Sequence, residues 1–334
     1  MPRRAVCILT LLPAALACAG LLLAQRAPVE SAWDLLAKGD RSGAIRLLRQ
    51  IIEGNPRDAD ARLLLGSVLM EDGERSESIA QLSEGVRLRP KSSEGQNALG
   101  EALVHFGEPK AARGPFEKAV ELDPKFAQAR VNLGLVLLEA DELGPAARQL
   151  DRALDLLGNT PDAAYPRYLR AKVYTEQNDV GKAAGELKEA VALRPDFAEA
   201  WSDLGLARKT LLDDDDALKA YQRAVDLSPD DAVAQTRLGS QYLHQGQAHS
   251  AVAHLREAMR LNPKDQPALY NLQLALRQDG QLEQADAVKG KLEELLRARA
   301  KADQNALTAI QLNNRGAELE KAGDRRGALE KYRA

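Results

Sequence analysis

The sequence predicts an all-α chain built as a solenoid of stacked helical hairpins, and three observations predict it. Its 334 residues are 45% apolar and 28% charged but only 4% aromatic, a mix rich in helix-favouring Ala, Leu, Glu, Arg and Gln. Prolines recur 34 residues apart, at Pro56, Pro90 and Pro124 and again at Pro195, Pro229 and Pro263. A Leu-Gly pair keeps the same phase, at Leu65-Gly66, Leu99-Gly100, Leu133-Gly134, Leu204-Gly205 and Leu238-Gly239.

The stretch from Ser93 to Phe126 shows what one unit is made of. Leu99, Gly100 and Leu103 form one helical stripe, and Ala112, Phe116 and Ala119 form a second, either side of Gly107. Gly107 allows a tight turn between two short helices, Pro109 suits a first helical position, and Pro124 stops the second helix. Gly100, Ala112 and Ala119 let the two axes approach closely while Phe116 fills the space between units. Helices this short are marginal alone, and one pair leaves an apolar flank that only a neighbouring copy covers.

Taken in order, residues 1–24 read as a secretory leader: Arg3 and Arg4, an apolar run from Ala5 to Ala24 broken by Pro13, then polar Gln25-Arg26. Cleavage after Ala24 is the preferred reading. The same run is long enough to anchor the chain uncleaved in a membrane, and a lipid-anchored form through Cys18 is a further alternative. Cys7 and Cys18 both lie in the leader, so a processed chain has no thiol and no disulfide, and its net charge moves from −3 to −5.

Units then follow at 25–58, 59–92, 93–126, 127–160, 164–197, 198–231, 232–265 and 266–299, an array over 25–299. Residues 300–308 are a helical spacer, and 309–334 begin a ninth unit that breaks off in its second helix. The order Trp201, Leu204-Gly205, Ala217, Tyr221, Ala224, Pro229 completes the pattern, and the array resembles the tetratricopeptide repeat family. That resemblance implies antiparallel helix pairs stacked into a right-handed superhelix, and a concave groove, lined by each first helix, that holds protein or peptide segments.

The departures from the pattern carry their own expectations. Ala32 replaces the glycine of the first unit, and Trp33 is out of phase, which suits a cap with one face uncovered. Gly158 replaces a proline, and Pro161 to Ala163 are extra, which lengthens the fourth connection. Pro115, inside a second helix, is expected to kink that helix or delay its start. Arg297 stands where the eighth unit would close with a proline, so helix-favouring sequence runs straight on. A ninth unit cut off in mid-helix is an odd natural end and reads as a fragment of a longer chain.

A net charge of −3 with pI near 6.0 removes the attraction that drives non-specific nucleic-acid binding. His244, His249 and His254 recur every five residues, about 140° apart on a helix, so they share no face and read as exposed side chains rather than metal ligands. Asp213 to Asp216 read as the turn between two helices and as the cap of the second, since a calcium loop needs alternating ligands and a glycine. No nucleophile elbow, phosphate loop or dinucleotide motif occurs. No enzyme activity, cofactor, metal or small-molecule substrate is expected.

What remains is the free stripe of each first helix, which the resemblance assigns to the groove. The partner-binding candidates on it are Asn132, Tyr165, Tyr168, Lys172, Asp203, Arg237, Tyr270 and Asn271, beside Asn97, Glu101 and Leu206. The Lys/Asn/Arg set with which some family members clamp a terminal carboxylate is absent. An asparagine ladder of the kind found in some glycosyltransferases is interrupted by Leu169, Asp203 and Arg237. The leading expectation is a scaffold for a protein or peptide partner in the cell envelope. The alternatives are a docking arm of an enzyme such as a glycosyltransferase, with its catalytic part beyond Ala334, and a membrane-held assembly factor for an envelope complex.

Overall fold

The computed structural model describes residues 23–321 together with Asp324, Glu330 and Lys331. Most of the leader, with Cys7 and Cys18, lies outside the described residues, as do Gly323, Ala328 and Tyr332 of the ninth unit. Among the described residues there is no strand, and no helix is long and apolar enough to cross a membrane.

The helices form two compact units that divide after Pro195. The first unit holds five hairpins: α1 (Leu23–Ala37) with α2 (Arg41–Gly54), α3 (Ala59–Glu71) with α4 (Arg75–Leu88), α5 (Ser93–His105) with α6 (Pro109–Leu122), α7 (Ala127–Glu139) with α8 (Leu143–Leu157), and α9 (Ala164–Glu176) with α10 (Val180–Leu193). The second unit holds α11 (Ala198–Thr210) with α12 (Asp214–Leu227), α13 (Ala232–His244) with α14 (Ala248–Leu261), and α15 (Gln266–Gln278) with α16 (Leu282–Lys321). Within each unit the second helix of one hairpin packs on the first helix of the next, and neighbouring first helices also touch, as α3 touches α5 and α13 touches α15.

In five of the eight hairpins the recurrent Leu-Gly pair is the crossing point. A Cβ on Gly66 would stand 2.6 Å from Leu82, one on Gly134 2.8 Å from Leu150, and one on Gly239 2.6 Å from Leu255. At Gly100 and Gly205 the opposing group is an aromatic ring, Phe116 and Tyr221, and a Cβ would lie 2.5 Å from a ring carbon in each case. Only hydrogen fits there, so these glycines set the spacing of the helix pair. Ala32, where the first unit departs from glycine, is fully buried all the same, and the out-of-phase Trp33 is exposed.

The spaced prolines lie just past the helix ends. Pro56, Pro90, Pro124, Pro195, Pro229 and Pro263 each follow the C-cap residue of α2, α4, α6, α10, α12 and α14. A proline there cannot continue the helix, and the chain turns into the next unit. Side chains one or two residues on then cap the following helix: Asp58 accepts from the Ala61 N–H at 2.9 Å, and Ser92 from the Gly95 N–H at 3.0 Å. After α8 the chain instead closes on Gly158, and the extra residues Pro161–Ala163 form one turn of 3-10 helix that packs on α8, α9 and α10.

Two sequence expectations are corrected by the backbone. Helix α6 starts at Pro109 and runs unbroken through Pro115 to Leu122, so Pro115 does not delay the helix. The acidic run is not the turn before α12: Asp214, Asp215 and Asp216 are already in the first helical turn, and Asp213, at the cap position, makes no capping bond with its side chain. The Asp213 carboxylate instead accepts from Arg208 at 3.3 Å. The turn residue proper is Leu212, with φ of 61°.

Candidate partner-binding face

The predicted site residues fall into three clusters on first helices. In the first unit, Asn132 on α7 is buried and donates to Asn97 Oδ1 and to Glu101 Oε1, both at 3.0 Å, while Gln128 donates to its Oδ1 at 3.0 Å. Asn97 also donates to Glu101 Oε1 at 3.0 Å. Burial raises the pKa of Glu101, and the two asparagine amides oppose that by solvating the anion. The network ties α5 to α7, and Asn132, its two donor hydrogens already given to Asn97 and Glu101, acts in it as a brace.

The second cluster is on α9. The rings of Tyr165 and Tyr168 stack 6.3 Å apart, and the Lys172 ammonium stands 4.8 Å from the Tyr168 centroid. Tyr168 is only 9% exposed, so its ring is wall rather than prong. The stacked cation adds a modest attraction and keeps the charge at the surface.

The third cluster, in the second unit, is the most open. Arg237 on α13 donates to Ser202 Oγ at 2.7 Å and to Asp203 Oδ1 at 2.9 Å, which ties α13 to α11. Asn271 on α15 donates to Ser240 Oγ at 2.6 Å, which ties α15 to α13. Between these links lies a hollow of about 470 Å³, lined by Leu206, Lys209, Thr210, Leu212, Tyr221, Thr236, Arg237, Ser240, Pro267 and Asn271. Tyr221 reaches it from α12, packed under Gly205, and burial pushes its phenol up to about 12, so it is neutral and forms part of the wall. Tyr270, 53% exposed, stands on the same stripe of α15, four residues before exposed Leu274.

Arg237 and Asn271 are thus brought together by the hollow, and Asp203 is held against Arg237. Sequence reasoning missed Lys209 and Leu212. The signal for Leu212 was available: the turn position carries Gly39, Gly73, Gly107, Gly246 and Gly280, all with positive φ, whereas Asp141, Asn178 and Leu212 occupy it elsewhere. Asp and Asn tolerate this backbone, but a leucine there costs about 1–2 kcal/mol.

The histidines need one correction. His254 is not an exposed side chain: it is half-buried, stacks on Tyr242 at 5.5 Å, shares a 2.9 Å hydrogen bond with Gln235, and burial lowers its pKa. His244 faces Asp214 at 3.4 Å, and His249 faces Asp279 at 3.6 Å. Among the described residues no group of three or more His, Cys, Asp or Glu is placed to hold a metal ion.

Stacked hairpins with crossing glycines and an open first-helix face define an α-helical repeat protein. Tetratricopeptide repeat profiles match residues 35–102, 97–164, 168–232 and 232–265, more than half of the sequence, and the chain belongs to the tetratricopeptide repeat family. Proteins of this family are generally non-catalytic scaffolds that bind protein or peptide partners.

Solved structures share the fold. A chain of the APC/C hetero-tetramer Cut9-Hcn1 matches with a TM-score of 0.61 at 21% identity, over 74% of this chain and 48% of that one. This chain therefore spans about half the length of that relative. The pilF protein of Pseudomonas aeruginosa matches with a TM-score of 0.58 at 18% identity, over 64% and 97% of the two chains. A tetratricopeptide repeat protein from Parabacteroides merdae matches with a TM-score of 0.56 at 14% identity, over 75% and 98%. No curated protein matches the chain significantly.

Proposed function

We propose that the chain is an exported scaffold of the cell envelope that holds a segment of a partner protein along its first-helix faces and has no catalysis of its own. The observation that carries this is the first-helix face of the second unit, where Leu206, Val233, Tyr270 and Leu274 stay exposed and Leu206 lines a hollow of about 470 Å³. Apolar side chains on the outside of a helix array lose free energy unless something covers them, and a rim of paired polar groups orients what does. Export is supported by the composition of residues 1–24.

Two experiments test the two halves of this reading. A photo-crosslinking amino acid in place of Tyr270 is expected to capture a discrete partner in cells. The same group in place of Lys219, on a second helix, is expected to capture none. Equal capture from both positions overturns the groove reading. For export, mass spectrometry of the protein from the native host is expected to show a chain starting at Gln25; an intact Met1 in the cytoplasmic fraction overturns it.

A further inference from the structure

Leu212 is the feature that neither the fold nor the family pattern requires. It sits in a left-handed turn where five of the other hairpins have glycine, and it is 87% exposed, so it gains nothing from burial in exchange for its backbone strain. Nevertheless it lines the hollow of the second unit, together with Leu206 and Pro267. Strain and exposure coincide at one lip of one cavity.

The charged side chains that line the same cavity are both cations, with the carboxylates of Asp203 and Asp265 bonded behind the lining. Its lining holds two cations, Lys209 and Arg237, and no carboxylate. Arg237 is already engaged by Asp203. Lys209 forms no salt bridge among the described residues, although its charge helps to lower the pKa of Asp214. An ammonium on a flexible stem, next to a bare leucine lip, is complementary to an apolar side chain with an acidic neighbour. The hollow's volume is that of a small-ligand site, enough for a few residues of peptide.

We infer that the second unit selects an internal peptide segment in which a bulky apolar side chain sits next to Asp or Glu, the apolar group seated between Leu206 and Leu212 and the carboxylate on Lys209. This rests on the groove reading above and narrows it to one kind of partner. Asn271 lines the seat and remains beside it to meet peptide backbone, whereas the Thr236 hydroxyl is taken up by the Ala232 carbonyl and Asp265.

The test pans a phage-displayed library of random dodecapeptides on the intact chain and measures the enriched sequences as fluorescent, C-terminally amidated peptides. Enrichment of Leu, Ile or Phe beside Asp or Glu is expected. Leu212→Gly is expected to weaken those peptides tenfold or more while the melting temperature stays level or rises, because glycine relieves the turn. A merely structural leucine would show the opposite pair of changes. Lys209→Glu is expected to shift selection to apolar residues beside Lys or Arg. Enriched peptides that compete with the Tyr270 crosslink but show no acidic signature, or ignore both substitutions, overturn this inference and leave the groove reading standing. Peptides that bind only with a free C-terminal carboxylate also overturn it. No enrichment at all overturns both.

Discussion

At the scale of single residues, space and solvation are the two quantities that decide. Gly205 has a ring carbon of Tyr221 2.5 Å from where its Cβ would stand. Gly205→Leu is therefore expected to cost about 1–3 kcal/mol or more through overpacking. Lys219→Ala removes only an exposed pair with Asp216 and is expected to leave the unfolding midpoint nearly unchanged. Urea unfolding of the two variants checks the difference, and equal midpoints would show that the crossing point is elsewhere. Glu101 is the complementary case. Burial raises its pKa above the unfolded value, so the folded state holds its proton more tightly, and stability falls as pH rises from the unfolded pKa through the folded one. Glu101→Gln keeps the acceptor for Asn97 and Asn132 without the charge. It is expected to raise the melting temperature at pH 8 and to make little difference at pH 4; a loss at pH 8 would mean that the anion is needed.

At the scale of elements, the repeat pattern carried most of what was built. Proline spacing and the Leu-Gly phase located the hairpins because both act through local backbone and through contacts within one unit. The late start expected from Pro115 did not follow because the rule is local while the outcome is not: Ala112 and Phe116 are buried on either side of the proline and hold α6 in one helix through it. The helix still lacks the hydrogen bond that residue 115 would give to the Ala111 carbonyl. Pro115→Ala is accordingly expected to stabilise the chain, by up to about 3 kcal/mol, read as a higher urea midpoint at unchanged slope. Destabilisation would show that the ring's packing outweighs the missing bond. The acidic run misled in another way. Charge and composition marked a turn, but the turn is decided by the one residue with positive φ, and that residue is a leucine, which no turn propensity favours.

At the scale of the whole molecule, the fold was legible and the site only partly so. A quasi-one-dimensional fold repeats its reasons, so each unit confirms the phase of the next, while a binding face is written in the positions that do not repeat. Register alone put Asp203, Arg237, Tyr270 and Asn271 on the free stripe. It could not show that Arg237 is spent on Ser202 and Asp203, that Asn132 is locked with Glu101, or that Tyr168 is buried, because those facts depend on side chains from neighbouring helices meeting. On the proposed reading, recognition therefore rests less on Arg237 and Tyr168 than on the exposed apolar residues of the second unit, Tyr270 included. The most direct measurement is the affinity, by calorimetry, of the partner captured from position 270 for a chain carrying Leu206→Ser and Tyr270→Ser together. Loss of a hundredfold or more in affinity, with helicity and the melting transition unchanged, is the result expected of a scaffold that reads its partner through this face. Undiminished binding by the double variant would contradict it.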